Sequence, residues 1–296
     1  MVPSTATCRH RHGSGSRGEM TEAKLASVGC GGFALFVLAF GFPVAPNASA
    51  QDRPRRFEEV RRFSADEARQ GVAVDERHFY AISNRRIGKY DKESGERVGG
   101  WEGAPDGPII HLDSGIVLDD RLYCAHSNYP GVPMVSSIEV FETATLEHVE
   151  SHSFGILGGS ATWIDRADGH WWVAFGHYAG RGGVSDQGPA WTNLVKFDES
   201  WRRVAGYVYP SEVVERFQEM SNSGGTWGED GRLYATGHDD GAIFVLSLPT
   251  AGSVLELQEV IPVAAEGQGI AWDRSDPRTL YSIIRSTREV VVSKLR

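Results

Sequence analysis

Five stretches of the chain repeat one alternation of apolar and polar positions. They are QGVAVDERHFYAISNRRIGKYD (70–91), SGIVLDDRLYCAHSNYP…SSIEVFE (114–142), GSATWIDRADGHWWVAFGHY…NLVKFD (159–198), GGTWGEDGRLYATGHDDGAIFVL (224–246) and QGIAWDRSDPRTLYSIIRSTREVVVSKL (268–295). Each opens on Gly or another small residue and an apolar run, then turns through Asp. A run carrying Tyr or Trp follows, then a polar turn and a third alternating run such as IGKYD, IEVFE or LVKFD. Period-two alternation, β-branched and aromatic enrichment and Asp/Gly turns predict antiparallel strands. The repeats start at Gly71, Gly115, Ser160, Gly225 and Gly269, at spacings of 44, 45, 65 and 44 residues. The long interval holds the insertion AGRGGVSDQGPAW (179–191).

The pieces between these runs supply a fourth, outer strand, as in ERVGGWEG (96–103), LEHVESHSF (146–154) and RVAGYVYP (203–210). Four strands per repeat of about 45 residues describe a β-propeller blade. The expectation is an all-β, single β-propeller domain over 51–296 with five visible blades. Six blades remain open if FEEVRRF (57–63) belongs to a degenerate blade, and seven if further repeats have lost their pattern. SEVVERFQEM (211–220), the one helix-like piece, reads as an excursion between blades. No long amphipathic helices alternate with the strands, which excludes an α/β class.

The N-terminus breaks this pattern. Lys24, the apolar run VGCGGFALFVLAFGF (28–42) and the small-residue sequence Asn47-Ala48-Ser49-Ala50 have the layout of a secretory signal peptide cut near Ala50. Translation starts at Met1 or Met20. The run is short for a membrane span, so no stable membrane anchor is expected, and the product is periplasmic or extracellular. The chain carries a formal net charge of −9, which deepens to −11 without residues 1–50. That excludes nucleic acid as partner, since phosphate neutralisation needs clustered Lys and Arg. Cys124 is the one cysteine after residue 50, so no intrachain disulfide holds the domain, and a monomer built around its core is expected.

The G-φ-A-φ-D…φ-Y-φ-A…φ-x-φ-φ-D pattern resembles the repeats of NHL, gluconolactonase and seven-bladed lactonase propellers. Runs such as AHSNYP, SHSFG and GQGIAWDR are similar to those of a secreted family sometimes labelled cycloisomerase. The resemblance covers nearly all of 51–296. It implies a propeller with a ligand at its mouth and leaves both enzymes and binding scaffolds open.

In such blades the innermost strand starts, and the second strand ends, on the same face around a central funnel. The second-strand ends read as Asn84, His126, His177, His238 and Arg285. The first-strand starts read as Gln70, His111, Ser160, Asn222 and Gln268, with His152 close behind. RLYATG is thus followed by His238 where a plain turn prefers Asp or Asn. Imidazoles converging with a Gln suit a divalent metal such as Zn, Mn or Fe. The metal candidates are His111, His126, His177, His238 and Gln268, an arrangement that resembles the His-rich mouth of oligogalacturonate lyases. A metal site requires their ring nitrogens to converge within about 5 Å of one point, since Zn–N bonds are about 2.0–2.1 Å long. Without a metal, the same histidines act as acid and base or cap turns.

Arg69, Arg85, Arg86, Arg181 and Arg285 fall near the same rim of an acidic chain. Guanidinium forks favour carboxylates, so the expected partner is a small anionic molecule, a sugar acid or lactone. The catalytic candidates are His126, His152, His177 and Arg285. The substrate-binding candidates are Gln70, Asn84, Arg85, Tyr129 and Tyr178, while Trp163 and Trp227 read as packing between blades. Ser160 lacks the strand–turn–helix context of a nucleophile elbow. HDDG (238–241) and WDRSD (272–276) offer oxygens to Ca without an EF-hand spacing. The function expected is metal-assisted or His acid/base lyase, lactonase or cycloisomerase chemistry, with a non-catalytic ligand- or protein-binding propeller as the alternative. The exported product is expected to begin at Gln51, which the mass of its N-terminal peptide checks.

Overall fold

The computed structural model describes residues 54–156 and 158–296; the segment expected to be a signal peptide lies outside them. The first strand, β1 (Phe57–Ser64), stands apart from the four sheets that follow it in the chain. The first blade is β2 (Gly71–Val74), β3 (His78–Ser83), β4 (Arg86–Asp91) and β5 (Arg97–Glu102). The second is β6 (Leu112–Leu118), β7 (Arg121–Ser127), β8 (Ser136–Glu142) and β9 (His148–Gly155), and the third is β10 (Ser160–Ala167), β11 (His170–Gly176), β12 (Asn193–Phe197) and β13 (Arg203–Val208). The fourth is β14 (Gly224–Trp227), β15 (Leu233–Thr236), β16 (Ala242–Ser247) and β17 (Glu256–Pro262). The fifth contains β18 (Ala271–Trp272), β19 (Thr279–Ile284) and β20 (Glu289–Leu295), and takes β1 as its outer strand.

The fold is therefore a five-blade β-propeller, every blade a four-stranded antiparallel sheet. FEEVRRF is the missing edge of the last blade, not a relic of a sixth. β1 pairs along β20 from Phe57↔Leu295 to Ser64↔Glu289, and the backbones of Arg56 and Arg296 exchange two hydrogen bonds just beyond. Joining the two ends in one sheet closes the ring and covers the outer side of β20. Arg55 extends the clasp to the fourth blade, donating to Glu259 at 2.7 Å and to the Tyr234 hydroxyl at 2.8 Å.

Apolar clusters fill the spaces between blades. Trp163, Trp172, Leu233 and Phe244 share one with Val213 and Phe217 of the helix α1 (Ser211–Phe217). That helix lies between the third and fourth blades, and the 3-10 turn after it (Gln218–Met220) continues toward the mouth of the ring. The 179–191 insertion joins β11 to β12 within the third blade. Cys124 is fully buried, and burial pushes its thiol pKa up, as for an inert core residue. Among the described residues, no helix is long and apolar enough to cross a membrane.

The small residue that opens each repeat has a steric cause. The inner strands β2, β6, β10, β14 and β18 meet around the axis, and a Cβ on Gly269 would sit 2.7 Å from Gly71 Cα and 2.6 Å from Ser114 Cβ. One on Gly71 would lie 2.8 Å from Ser114 Cα, and one on Gly224 2.8 Å from Gly269 Cα. Five strands leave no room at the axis for side chains, so Gly71, Ser114, Gly224 and Gly269 plug the channel. Gly269→Ala is expected to cost about 1–3 kcal/mol through overpacking, read as a fall of several degrees in the thermal midpoint. Gly188→Ala is the control, since a Cβ there meets nothing within 4 Å; equal midpoints for the two variants would refute the plug.

Candidate functional site

Asn84, Tyr178, His238 and Arg285 project into a cavity of about 300 Å³ from the position two residues beyond the small residue's strand partner or its equivalent. In the second blade that position is the buried Ser127, and Tyr129, just past the end of β7, reaches the cavity instead. A second set comes from the residue just before each axial small residue, namely Gln70, Asp113, Ser223 and Gln268. The third blade has Gly159 in that position and adds no side chain there. Arg69, His111, Pro130, Arg181 from the insertion and Met220 after α1 complete the lining.

The cavity has two chemically different sides. On one, Arg285 Nη1 donates to His238 Nε2 at 2.8 Å, so that nitrogen carries the lone pair and the proton sits on Nδ1. That Nδ1 lies 2.7 Å from Asp239 Oδ2 in a geometry that makes no hydrogen bond. This answers why β15 is followed by a histidine: an Asp there would neutralise Arg285, whereas a neutral imidazole orients it and keeps its charge. Arg69 stands nearby with its Nε buried and unpartnered. Burial, and then the guanidinium groups of Arg288, Arg285 and Arg86, lower its pKa. Gln268 Nε2 donates to the His238 carbonyl at 2.8 Å, held by a backbone φ of +66° that a Gln adopts only under constraint.

The other side is nearly dry. His111 and Asp113 flank Leu112 at the start of β6, 8% and 4% exposed, with His111 Nε2 3.6 Å from Asp113 Oδ2. The His111 ring lies 5.0 Å from that of Tyr129, which meets Tyr178 edge-on at 5.1 Å. Burial, reinforced by His126 and Arg285, lowers the His111 pKa to about 4. Burial raises Asp113 well above the usual carboxylate range, with Arg285 pulling the other way. Tyr178 is pushed up by burial and by Asp113.

The predicted residues divide cleanly. Gln70, Asn84, His111, Tyr129, Tyr178, His238, Gln268 and Arg285 line the cavity, as do Arg69 and Arg181. Arg85 occupies the β3–β4 turn outside it, and Arg86 acts on it only through Arg69. His126 is tied into the second blade: Nε2 accepts from the Ile110 amide at 3.2 Å, and Nδ1 donates to Ser137, which bonds Glu139. His177 donates from Nε2 to the Gly158 carbonyl at 3.1 Å. His152 lies on the outer strand β9, stacked on Trp201 at 4.5 Å. Ser160 and Asn222 are wholly buried, the latter accepting from Trp163 Nε1 and the Tyr209 hydroxyl.

The four imidazoles are thus not gathered. Among the described residues, no three His, Cys, Asp or Glu side chains converge as metal ligands, and the candidate set does not fit a metal centre. Three of the four Ca-candidate carboxylates are committed elsewhere, and Asp239 is exposed. Asp273 takes Lys92, Asp276 takes Lys294 and Asp240 takes Arg216. Sequence reasoning missed Asp113, because a bulge between Leu112 and Gly115 makes Ser114, not Gly115, the axial small residue of its repeat. With that register, Asp113 is the counterpart of Gln70 and Gln268.

No protein-family model and no curated protein sequence matches the chain. Among solved structures it is similar to a luciferin-regenerating enzyme at 10% identity, covering 82% of this chain and 95% of that one, with a TM-score of 0.49. The PQQ-bound aldose sugar dehydrogenase of Streptomyces coelicolor gives 12% identity, 77% and 78% coverage and 0.47. The Cps50 (Swd1) β-propeller domain of Myceliophteria_thermophila gives 9%, 75%, 82% and 0.43. At these values the likeness carries nothing about chemistry, and the blade count rests on the sheet topology.

The His111 shift sets a pH test. Its folded pKa is depressed from 6.5 to about 4, so the stability it contributes is present above pH 6.5 and is lost as pH falls through 4, by about 3 kcal/mol. His126, His152 and His177 shift the same way and stay in both proteins. Urea midpoints for wild type and His111→Gln should therefore converge between pH 7 and pH 4. Parallel curves would contradict the burial of His111.

Proposed function

We propose that the chain binds a small carboxylated molecule in the propeller mouth and acts on it by redox-neutral lyase, lactonase or isomerase chemistry. The observation that carries this reading is the absence of carboxylate partners for the cavity's cations. Arg55, Arg97 and Arg274 pair with Glu259, Glu67 and Asp165, and unpaired arginines outside the cavity, such as Arg77, Arg202 and Arg203, lie on the exposed surface. Among the described residues, Arg69, Arg181 and Arg285 form no such ion pair, and Arg69 keeps a buried unpartnered Nε. Mutually repelling guanidinium groups in a partly desolvated cleft favour an anion of matching fork geometry. A volume of about 300 Å³ suits a single sugar acid or lactone rather than a polymer.

The ten-residue rim supplies Gln70, Asn84, Ser223 and Gln268 for hydroxyl groups and the Tyr129–Tyr178 pair for a ring face. The resemblance to lactonase-type repeats supports the same substrate class. The non-catalytic scaffold remains the second reading because the same seat binds an anion without turning it over. Calorimetric titration with D-gluconate and D-galacturonate, against neutral D-glucose, tests the seat. The acids are expected to bind and glucose not. Arg69→Gln and Arg285→Gln should each weaken binding about tenfold or more, the worth of a charge-assisted hydrogen bond. Equal binding of glucose and gluconate would sink the anion reading. Conversion of an aldonolactone followed by NMR separates the enzyme from the scaffold.

A further inference from the structure

Five carboxylates are buried in the described residues, and four of them have evident structural work. Glu67 accepts from Tyr90 and Arg97. Glu139 accepts from His148, Ser137 and Ser151. Asp165 accepts from Thr226, the Trp227 amide and Arg274. Asp273 accepts from Lys92 and Ser275. Asp113 has no hydrogen-bond donor among the described residues, although it is 4% exposed and lines the cavity. A buried polar group without a structural partner calls for another explanation, and here the open direction is the cavity.

Its surroundings define what it can do. His111 faces it at 3.6 Å from its own strand, Tyr178 from the third blade and Arg285 from the fifth. Resting on the anion-site reading above, we propose that Asp113 and His111 act on the bound ligand as one acid–base pair, Asp113 giving a proton and His111 taking one. Burial favours the neutral form of both, the carboxylic acid of Asp113 and the free imidazole of His111. Opposite displacement of two adjacent groups is the pattern that separates acid from base. With the ligand carboxylate held by Arg69 and Arg285, one proton leaves the ligand for His111 Nε2. Another enters the ligand from the Asp113 carboxyl. The imidazolium proton then crosses to the Asp113 carboxylate. The ligand has been isomerised by a proton shift, no electrons are gained or lost, and the pair returns to its starting state without a co-reactant.

Infrared difference spectra at pH 7 test the pair, with D-galacturonate as probe and its binding followed in parallel by calorimetry. Wild type is expected to show a protonated-carboxyl band that is missing in Asp113→Asn and that shifts when the probe is added. Absence of that band, with galacturonate still bound, would overturn the pair and leave the anion seat standing. A band that the bound probe does not move would overturn the donor role. Galacturonate that fails to bind wild type brings down the anion seat and the pair's action together, and this shows in the calorimetry rather than in the band. The shift within wild type needs no variant, so a poorly folded Asp113→Asn protein does not protect the proposal.

Discussion

Crowding of five inner strands around one axis is the constraint from which the rest of the molecule follows. Gly71, Ser114, Gly224 and Gly269 approach so closely that an added Cβ would collide with a neighbouring backbone or side chain. The ring is held at that diameter by the clasp between β1 and β20, because a ring joined within one sheet cannot spread without breaking ladder hydrogen bonds. The channel is consequently filled by backbone, and the cavity is a shallow cup with a floor of small residues. Every residue adjoining the floor points into the cup or away from it by the two-residue period of the strand. The chemistry of the site is set by ten positions, two per blade, and by what the loops above them add.

This geometry explains which parts of the site were legible in the sequence. The repeat, its strands, the fold class and the rule that inner-strand starts and second-strand ends share a face all follow from alternation and spacing. The fifth blade's outer strand was less visible, since FEEVRRF pairs with residues more than 220 positions away and no local pattern reveals such a partner. Single-residue register decided the rest. His126 and His177 align with the rim only if their repeats carry no bulge and no extra turn residue. In the structure the cavity is reached in those blades by Tyr178, next to His177, and by Tyr129, three residues beyond His126, and the two imidazoles bond backbone and serine instead. A shift of one residue in a strand exchanges its faces, so a histidine count at the rim is fragile even where the repeat is correct.

Two opposing electrostatic demands meet in the same small volume. The guanidinium groups need an anion, and a protein carboxyl in the same cavity, Asp113, is close enough for Arg285 to act on its charge. Desolvation outweighs the attraction of Arg285 and raises that carboxyl well above the usual carboxylate range, which disfavours its charged form and weakens its competition with a ligand for the positive charge. His238 contributes to the same end by presenting a lone pair, not a charge, to Arg285.

The proton inventory then links binding to chemistry. An arriving carboxylate satisfies the arginines and adds negative charge beside Asp113, which disfavours its ionisation further and holds the donor proton in place until an oxygen or carbon of the ligand takes it. The same added charge stabilises an imidazolium at His111, raising its affinity for a proton at the moment when one must be accepted. Ligand binding therefore keeps Asp113 loaded with its proton, though as a weaker acid, and makes His111 the stronger base, with the two flanking a single residue, Leu112, on one inner strand. A propeller narrowed to five blades places that strand within reach of Arg285 and Tyr178, and a wider ring would separate the two sides of the cup.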